Sequence, residues 1–311
     1  MQQVLDDVKG DRSGAPAAYI PELADAEPDH LAFAVVGPRG QIRAVGDSEV
    51  EFTIQSISKP FVLAHVLSEI GLDAVMQRVG TEPSGEPFNA ISLEEVTGRP
   101  ANPMVNAGAI ATTGLVEGDG IDERTESILT TLSAFAGRDL RVDESVYRSE
   151  SATGDRNRAL GHLMRSYGVV DAPVELALET YFRQCSILVT CRDLALMAAT
   201  LANMGRNPIT GKSAYTIAYV KDILSIMFTC GMYDYSGQWA FRVGVPAKSG
   251  VAGGVIAVVN RQLGIGTYSP RLDAFGNSRR GTEVCADMAA RLGLHVFDCL
   301  NVGSSFLSAV L

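Results

Sequence analysis

Gln55-Ser56-Ile57-Ser58-Lys59-Pro60 stands where a strand-like run ends and an apolar helix begins. Within it, Ser56-x-x-Lys59 has the spacing of serine acyl-transfer enzymes that activate their nucleophile with lysine. A serine hydroxyl is a poor nucleophile until a base takes its proton, and side chains three apart on a helical turn share a face. The spacing therefore puts Lys59 within reach of Ser56. Pro60 falls in the first turn, where its missing N–H costs least. Phe61, Val62, Leu63, Val66, Leu67 and Ile70 bury the helix on more than one side, and Gly71 ends it. A serine at such a position is rigidly held and feels the positive end of the helix dipole. Taken alone, the motif is better read as a helix-start serine and a solvated lysine.

A second lysine changes that balance. Five of the 26 basic residues are lysine, yet one recurs in Ala247-Lys248-Ser249-Gly250-Val251-Ala252-Gly253-Gly254. Lys-Ser/Thr-Gly on a strand is the late partner of Ser-x-x-Lys in penicillin-recognising enzymes, and it follows here in the required order. Its glycines suit close approach of a ligand, with the Val251 N–H beside that of Ser56 facing a developing oxyanion. A phosphate cradle would need Gly-x-x-x-x-Gly-Lys-Ser/Thr leading into a helix, and this segment leads into a strand.

A chain of 311 residues with 46% hydrophobic and 20% charged residues can bury a large core, as one domain or two. Its net charge of −10 argues against nucleic acid and against an anionic membrane surface, which leaves a small-molecule substrate as the expected partner. Cys185, Cys191, Cys230, Cys285 and Cys299 are odd in number and lack metal-type spacing, and His30, His65, His162 and His295 join no Cys/His motif. No metal and no cofactor are expected. With no signal-peptide pattern and no long apolar run, the expected location is the cytoplasm.

Residues 31–36 and 41–45 read as an antiparallel hairpin turning at Gly37-Pro38-Arg39-Gly40, and a third strand near 51–54 would lead into Ser56. From about 72 to 235 helical spacing dominates, over 128–136, 159–167, 174–182, 191–204 and 215–229. Strand signals return at 239–245, 254–259 and 263–268, followed by a helix over 282–292. The expected architecture is an α/β (α+β) fold: an antiparallel sheet built from both ends, covered by the first and last helices, with a helical insertion beside it. The sheet part would take about 1–71 and 236–311 and the helical part about 72–235.

Four further blocks are polar enough to carry chemistry, and each has a plain structural reading beside it. Asn102-Pro103-Met104-Val105-Asn106-Ala107-Gly108-Ala109 fits a turn before a buried helix. Ser149-Glu150-Ser151-Ala152-Thr153-Gly154-Asp155-Arg156-Asn157 lacks apolar periodicity and fits a solvated loop with a helix cap. Gly231-Met232-Tyr233-Asp234-Tyr235-Ser236-Gly237-Gln238 fits a connector with packing tyrosines, and Tyr181 fits a core aromatic at helical spacing.

Together these blocks, with Tyr19-Ile20-Pro21, closely resemble the serine-dependent glutaminases of the β-lactamase-like fold. They run in family order from residue 19 to 254. The resemblance implies a single catalytic domain hydrolysing L-glutamine to L-glutamate and ammonia, in a homo-oligomer, tetramer or dimer. It implies that Ser56 attacks the side-chain amide, that Lys59 and Tyr233 handle protons, and that the Ser56 and Val251 amides form the oxyanion hole. Tyr19, Asn106, Glu150, Asn157 and Tyr181 would hold the amino-acid end of the substrate. Chemistry agrees, since an ammonium seeks a carboxylate such as Glu150, and a carboxylate seeks donors such as Asn106, Asn157 and Tyr181. Asparagine, one methylene shorter, should be strongly rejected.

The other reading is a different serine amidohydrolase of this fold, such as a β-lactamase or a peptidase. No Ser-x-Asn motif occurs in the chain, which disfavours it. A catalytically dead glutamine-binding module would not need Ser56, Lys59 and Tyr233 intact. Which of Lys59 and Tyr233 is the base for acylation stays open, because lysine near ~10.4 and tyrosine near ~10 are both protonated at neutral pH unless a neighbour depresses them. The apolar tail Phe306-Leu307-Ser308-Ala309-Val310-Leu311 is expected to suit a subunit interface.

Overall fold

The computed structural model describes residues 1–85, 93–171 and 173–298. Strands β1 (Ala32–Val36), β2 (Ile42–Gly46) and β3 (Phe52–Thr53) lie early, β4 (Leu188–Val189) in the middle, and β5 (Ala247–Ser249), β6 (Gly254–Val259) and β7 (Leu263–Tyr268) late. The main sheet is antiparallel throughout, in the order β2-β1-β7-β6-β5. It is built from both ends of the chain, as its sequence predicts.

Helices α1 (Gln2–Val8) and α2 (Pro21–Ala24) precede the sheet, and α3 (Lys59–Ile70) and α4 (Leu72–Met76) follow β3. The middle holds α5 (Asn106–Thr113), α6 (Ile121–Ala136), α7 (Glu144–Ala152), α8 (Asp155–Ser166), α9 (Val174–Cys185), α10 (Cys191–Ala202) and α11 (Val220–Cys230). Helices α12 (Ser236–Arg242) and α13 (Arg279–Leu292) flank the late strands.

The period of two in each strand decides which core its side chains enter. Phe33, Val255, Ala257, Val259 and Ile265 pack with Val4 and Leu5 of α1 and Val284 and Cys285 of α13. Ala32, Ala34, Val36, Ile256 and Val258 face the other way, onto α10, in the core that α6 and α3 complete. Two strand glycines make the second contact possible. A Cβ on Gly264 would stand 2.1 Å from the Ala199 nitrogen, and one on Gly266 2.6 Å from the Cys191 carbonyl oxygen, so α10 lies backbone-close on β7. A third cluster, around Ile110, Leu160, Met164, Leu178 and Phe182, joins α5, α8 and α9.

Three expectations need correction. The strand expected near 51–54 is only Phe52–Thr53, and it pairs with Leu188–Val189 in a separate two-stranded sheet. Phe52 stacks on Tyr268 at 3.9 Å, while β7 occupies the place beside β1. The strand expected over 239–245 is largely helix α12. Its alternating Trp239, Phe241 and Val243 suggested a strand, but Trp239 and Val243 are buried four apart while Phe241 is 90% exposed. The polar stretch 149–157 is not a loop. It is the last turn of α7, a Thr153-Gly154 junction and the first turn of α8. Asp143 caps α7 by accepting from the Ser145 and Val146 N–H groups, and Ser145 and Ser149 spend their hydroxyls on Glu22, so polarity there does not mean solvation.

Among the described residues no helix is long and apolar enough to cross a membrane. Cys185, Cys191, Cys230 and Cys285 are buried free thiols. Cys299 and the apolar tail 306–311 lie outside the described residues.

Candidate active site

Ser56 sits in a 3-10 turn, Gln55–Ser58, that runs directly into α3. The turn is held from both sides. The Ile54 N–H donates to the Ile187 carbonyl at 2.8 Å, and the Ser58 hydroxyl donates to the Gln55 carbonyl at 2.7 Å while accepting from Gln184. Gln55 has φ 49°, a left-handed conformation that costs a non-glycine residue about 1 kcal/mol or more and persists where surrounding contacts dictate it.

That conformation sends the Gln55 side chain to Glu150. Its amide nitrogen donates to Glu150 Oε1 at 3.1 Å and to Thr53 Oγ1 at 3.2 Å. The Tyr19 hydroxyl donates to the same Glu150 oxygen at 2.6 Å, although the Tyr19 residue as a whole is half exposed. Glu150 itself is buried. Burial raises its carboxyl above the usual range, and the bonds from Tyr19 and Gln55 pull it back.

Lys59 is buried, and its described hydrogen bonds do not go to Ser56. Nζ donates to the Met104 carbonyl at 3.1 Å and to Asn106 Oδ1 at 2.8 Å. Burial lowers the lysine to about 8. The acceptors are supplied by the 102–108 segment, where Asn102 Oδ1 accepts from the Met104 and Val105 N–H groups. A Cβ on Gly108 would stand 1.8 Å from the Asn102 carbonyl oxygen, so only glycine lets this loop fold against the first turn of α5. The turn-then-buried-helix reading of this stretch is what the chain adopts.

Asn106 joins three candidates. Its Oδ1 also accepts from the Tyr181 hydroxyl at 3.3 Å, and its Nδ2 donates to Asn157 Oδ1 at 3.1 Å. Tyr181 is buried and its phenol is raised well above the usual value by burial.

Tyr233 comes from the other side. It opens a 3-10 turn with φ 59°, and its hydroxyl bonds Ser56 and donates to the Ser249 carbonyl at 3.1 Å. Burial pushes its phenol up to about 12. A Cβ on Gly231 would lie 1.8 Å from the Ala247 carbonyl oxygen, which is why this turn can rest on β5. Just past the end of β5, the Cα of Gly250 presses on the Ser56 turn, since a Cβ there would meet the Ile54 carbonyl oxygen at 2.9 Å. In that hairpin the N–H groups of Gly250 and Gly253 are used, whereas no described hydrogen bond uses the N–H of Val251 or of Ser56.

Eight of the nine residues singled out in the sequence are thus linked by bonds around one buried turn, drawn from that turn, α3, α5, α7, α8, α9 and the segments at 19 and 233, and Val251 follows Gly250, which rests on the turn. Two contributors lay inside quoted motifs without an assigned role. Gln55 links Ser56 to Glu150, and Lys248 is fully buried against Tyr233. Adjacency to Ser56 was the available signal for Gln55; the contact between Lys59 and Asn106 had none. Among the described residues no three His, Cys, Asp or Glu side chains gather as metal ligands. A groove of about 920 Å³ lined by Met204, Leu224, Phe228 and Phe297 lies away from Ser56.

The arrangement has counterparts. The family model described as Glutaminase matches residues 14–297. A glutaminase of Nostoc sp. is 53% identical over 293 residues, covering 94% of this chain and 88% of that protein. A glutaminase of Corynebacterium glutamicum is 46% identical over 312 residues, covering 100% of this chain and 75% of its own. Among solved structures, Mglu in its glutamate form superposes with a TM-score of 0.91 at 44% identity, covering 95% of this chain and 68% of that one. The probable glutaminase ybaS gives 0.92 at 41% identity, covering 95% and 97%.

Proposed function

Because the chain belongs to the glutaminase family and has its β-lactamase-like fold, we propose that it hydrolyses L-glutamine to L-glutamate and ammonia through an acyl-enzyme on Ser56. The observation that carries this is the pairing of neighbours, in which Gln55 holds a buried carboxylate while Ser56, the next residue, bonds a buried phenol. An amino-acid ammonium on Glu150 therefore sits one residue from the nucleophile, and a free amino acid is the ligand that spans them.

The division of labour follows from the two proton-carrying groups. Lys59, lowered to about 8, has an appreciable amine fraction near neutral pH and suits the base that takes the Ser56 proton. Tyr233, pushed up to about 12, stays a phenol and suits the acid that protonates the departing nitrogen. The open N–H groups of Ser56 and Val251 receive the oxyanion. Asn106, Asn157 and Tyr181 receive the substrate carboxylate, and Asn106 would touch both that carboxylate and Lys59.

Two measurements test this. During turnover of L-glutamine, acid quenching and peptide mass analysis should find a glutamyl ester on the peptide containing Ser56. An ester elsewhere, or none under conditions where deacylation is slow, sinks the mechanism. The rate should also follow the amine form of Lys59. Since burial moves this lysine below its ordinary value, kcat should rise as pH increases through about 8, where the ammonium loses its proton. A rate that falls over that interval would contradict Lys59 as base.

A further inference from the structure

Glu179 lies on α9, two residues before Tyr181, with its side chain 18% exposed. Its carboxylate accepts from side chains on two other helices. From α7, the Tyr147 hydroxyl donates to it at 3.0 Å and the Ser151 hydroxyl at 2.9 Å. From α8, the Arg158 guanidinium donates to it at 2.9 Å. Arg158 also donates to the Ser151 hydroxyl at 3.0 Å and to the Ser151 carbonyl, so the three helices are tied in a closed ring of bonds.

Each helix joined by this ring carries one residue assigned above to the amino-acid end of the substrate. Ser151 follows Glu150 on α7, Arg158 follows Asn157 on α8, and Glu179 shares a turn of α9 with Tyr181. We propose that Glu179 is a positioning residue for substrate binding: it ties α7 and α8 to α9 and thereby holds Glu150, Asn157 and Tyr181 in the spacing that receives the ammonium and carboxylate of a free amino acid. This rests on the assignment of those three residues to that end of the substrate.

The ammonium and carboxylate of an amino acid stand on one carbon, so their partners must keep a fixed separation. Glu150 is on the last turn of α7 and Asn157 on the first turn of α8, and the two keep their separation only if the Thr153-Gly154 junction keeps its bend. Apolar contact sets how closely that junction approaches α9. A Cβ on Gly154 would stand 2.4 Å from the Phe182 ring, and the Arg158 guanidinium lies 5.3 Å from the centroid of the same ring. A glycine against a flat ring leaves rotation about the helix axes free, whereas charge-assisted bonds are directional and fix it. The negative charge of Glu179 is met by Arg158, so its effect on Glu150 runs through geometry rather than through field.

Steady-state kinetics and calorimetric binding of L-glutamate to the intact enzyme test this. Glu179→Gln keeps the size of the side chain and removes its charge. The KM for L-glutamine should rise roughly 10-fold and the affinity for L-glutamate should fall by a similar factor, while kcat moves by less than about 3-fold. Arg158→Met breaks the ring from α8 and should raise KM to a similar extent. The double variant should lose less than about 3-fold beyond the larger single effect, because both substitutions break one unit. Circular dichroism with heating reports whether each variant is folded at the assay temperature. If Glu179→Gln is not, Ser151→Ala takes its place in the cycle and should raise KM by about 3-fold or more. A folded variant with normal KM, a loss confined to kcat, or losses that multiply in the double variant would each overturn the proposal. Failure of the substrate assignment reads differently: Glu150→Gln then leaves KM unchanged, whereas it raises KM if Glu179 alone has been misjudged.

Discussion

Ser56→Ala should reduce ammonia release from L-glutamine by roughly 10⁴-fold or more, the scale seen when the nucleophile of an acyl-transfer site is removed. The protein should remain folded. Ser56 is buried, and the bond its hydroxyl makes is to Tyr233, so losing it costs about 1 kcal/mol. Glutamine should still bind, since Glu150 is anchored by Gln55 and Tyr19. Calorimetric binding beside a coupled ammonia assay separates the two effects. An alanine variant with even a tenth of the wild-type rate would remove Ser56 from the chemistry and leave water, activated by Lys59, as the attacking group.

Glu150→Gln carries the second large effect, and it acts on a different quantity. The amide keeps the shape of the side chain and one oxygen for the Tyr19 and Gln55 donors, but it removes the charge that an amino-acid ammonium would meet. Truncating one partner of a buried charge pair costs about 2–5 kcal/mol, which corresponds to roughly 30- to 5,000-fold in kcat/KM. Most of this should appear in KM, because the ammonium is bound alike in ground and transition states. Stability should hold or rise, since burial already disfavours the charged carboxylate. A fall in kcat with KM unchanged would move Glu150 from the amino-acid end to the reacting end of the site.

Both predictions concern residues whose chemistry is written in the primary structure, and the limits of that writing follow from physics. Ser56-x-x-Lys59-Pro60 with its apolar helix and the Lys248-Ser249-Gly250 strand are local patterns. Periodicity, the fixed φ of proline and the freedom of glycine act within a few residues, so these elements are legible without the rest of the molecule. The same holds for the hairpin at 31–45, for the strands at 254–268 and for the helices of the middle region. Local rules failed where distant packing decided the outcome. Trp239-Ala240-Phe241-Arg242-Val243 alternates like a strand, yet it is helical because Trp239 and Val243 meet the core formed with α1 and α13. The 149–157 stretch has no apolar period, yet it is helical on both sides of Thr153-Gly154, with Ser149 bonded to Glu22 and Ser151 to Glu179.

The site divides along the same line. Sequence by itself determined which residue types are present and in what order, and with the family pattern it determined the fold class and the reaction. Only the tertiary structure decided which groups touch. Lys59 stands one helical turn from Ser56, but its bonds run to Met104 and Asn106, some 45 residues later in the chain. Glu150 is joined to Gln55 across 95 residues and to Tyr19 across 131. Burial, which lowers Lys59 and raises Tyr233, is a property of the whole core and leaves no local mark in the chain. Proton affinities and hydrogen-bond partners depend on the field and the solvent exclusion produced by everything folded around them, and those exist only once the chain has closed.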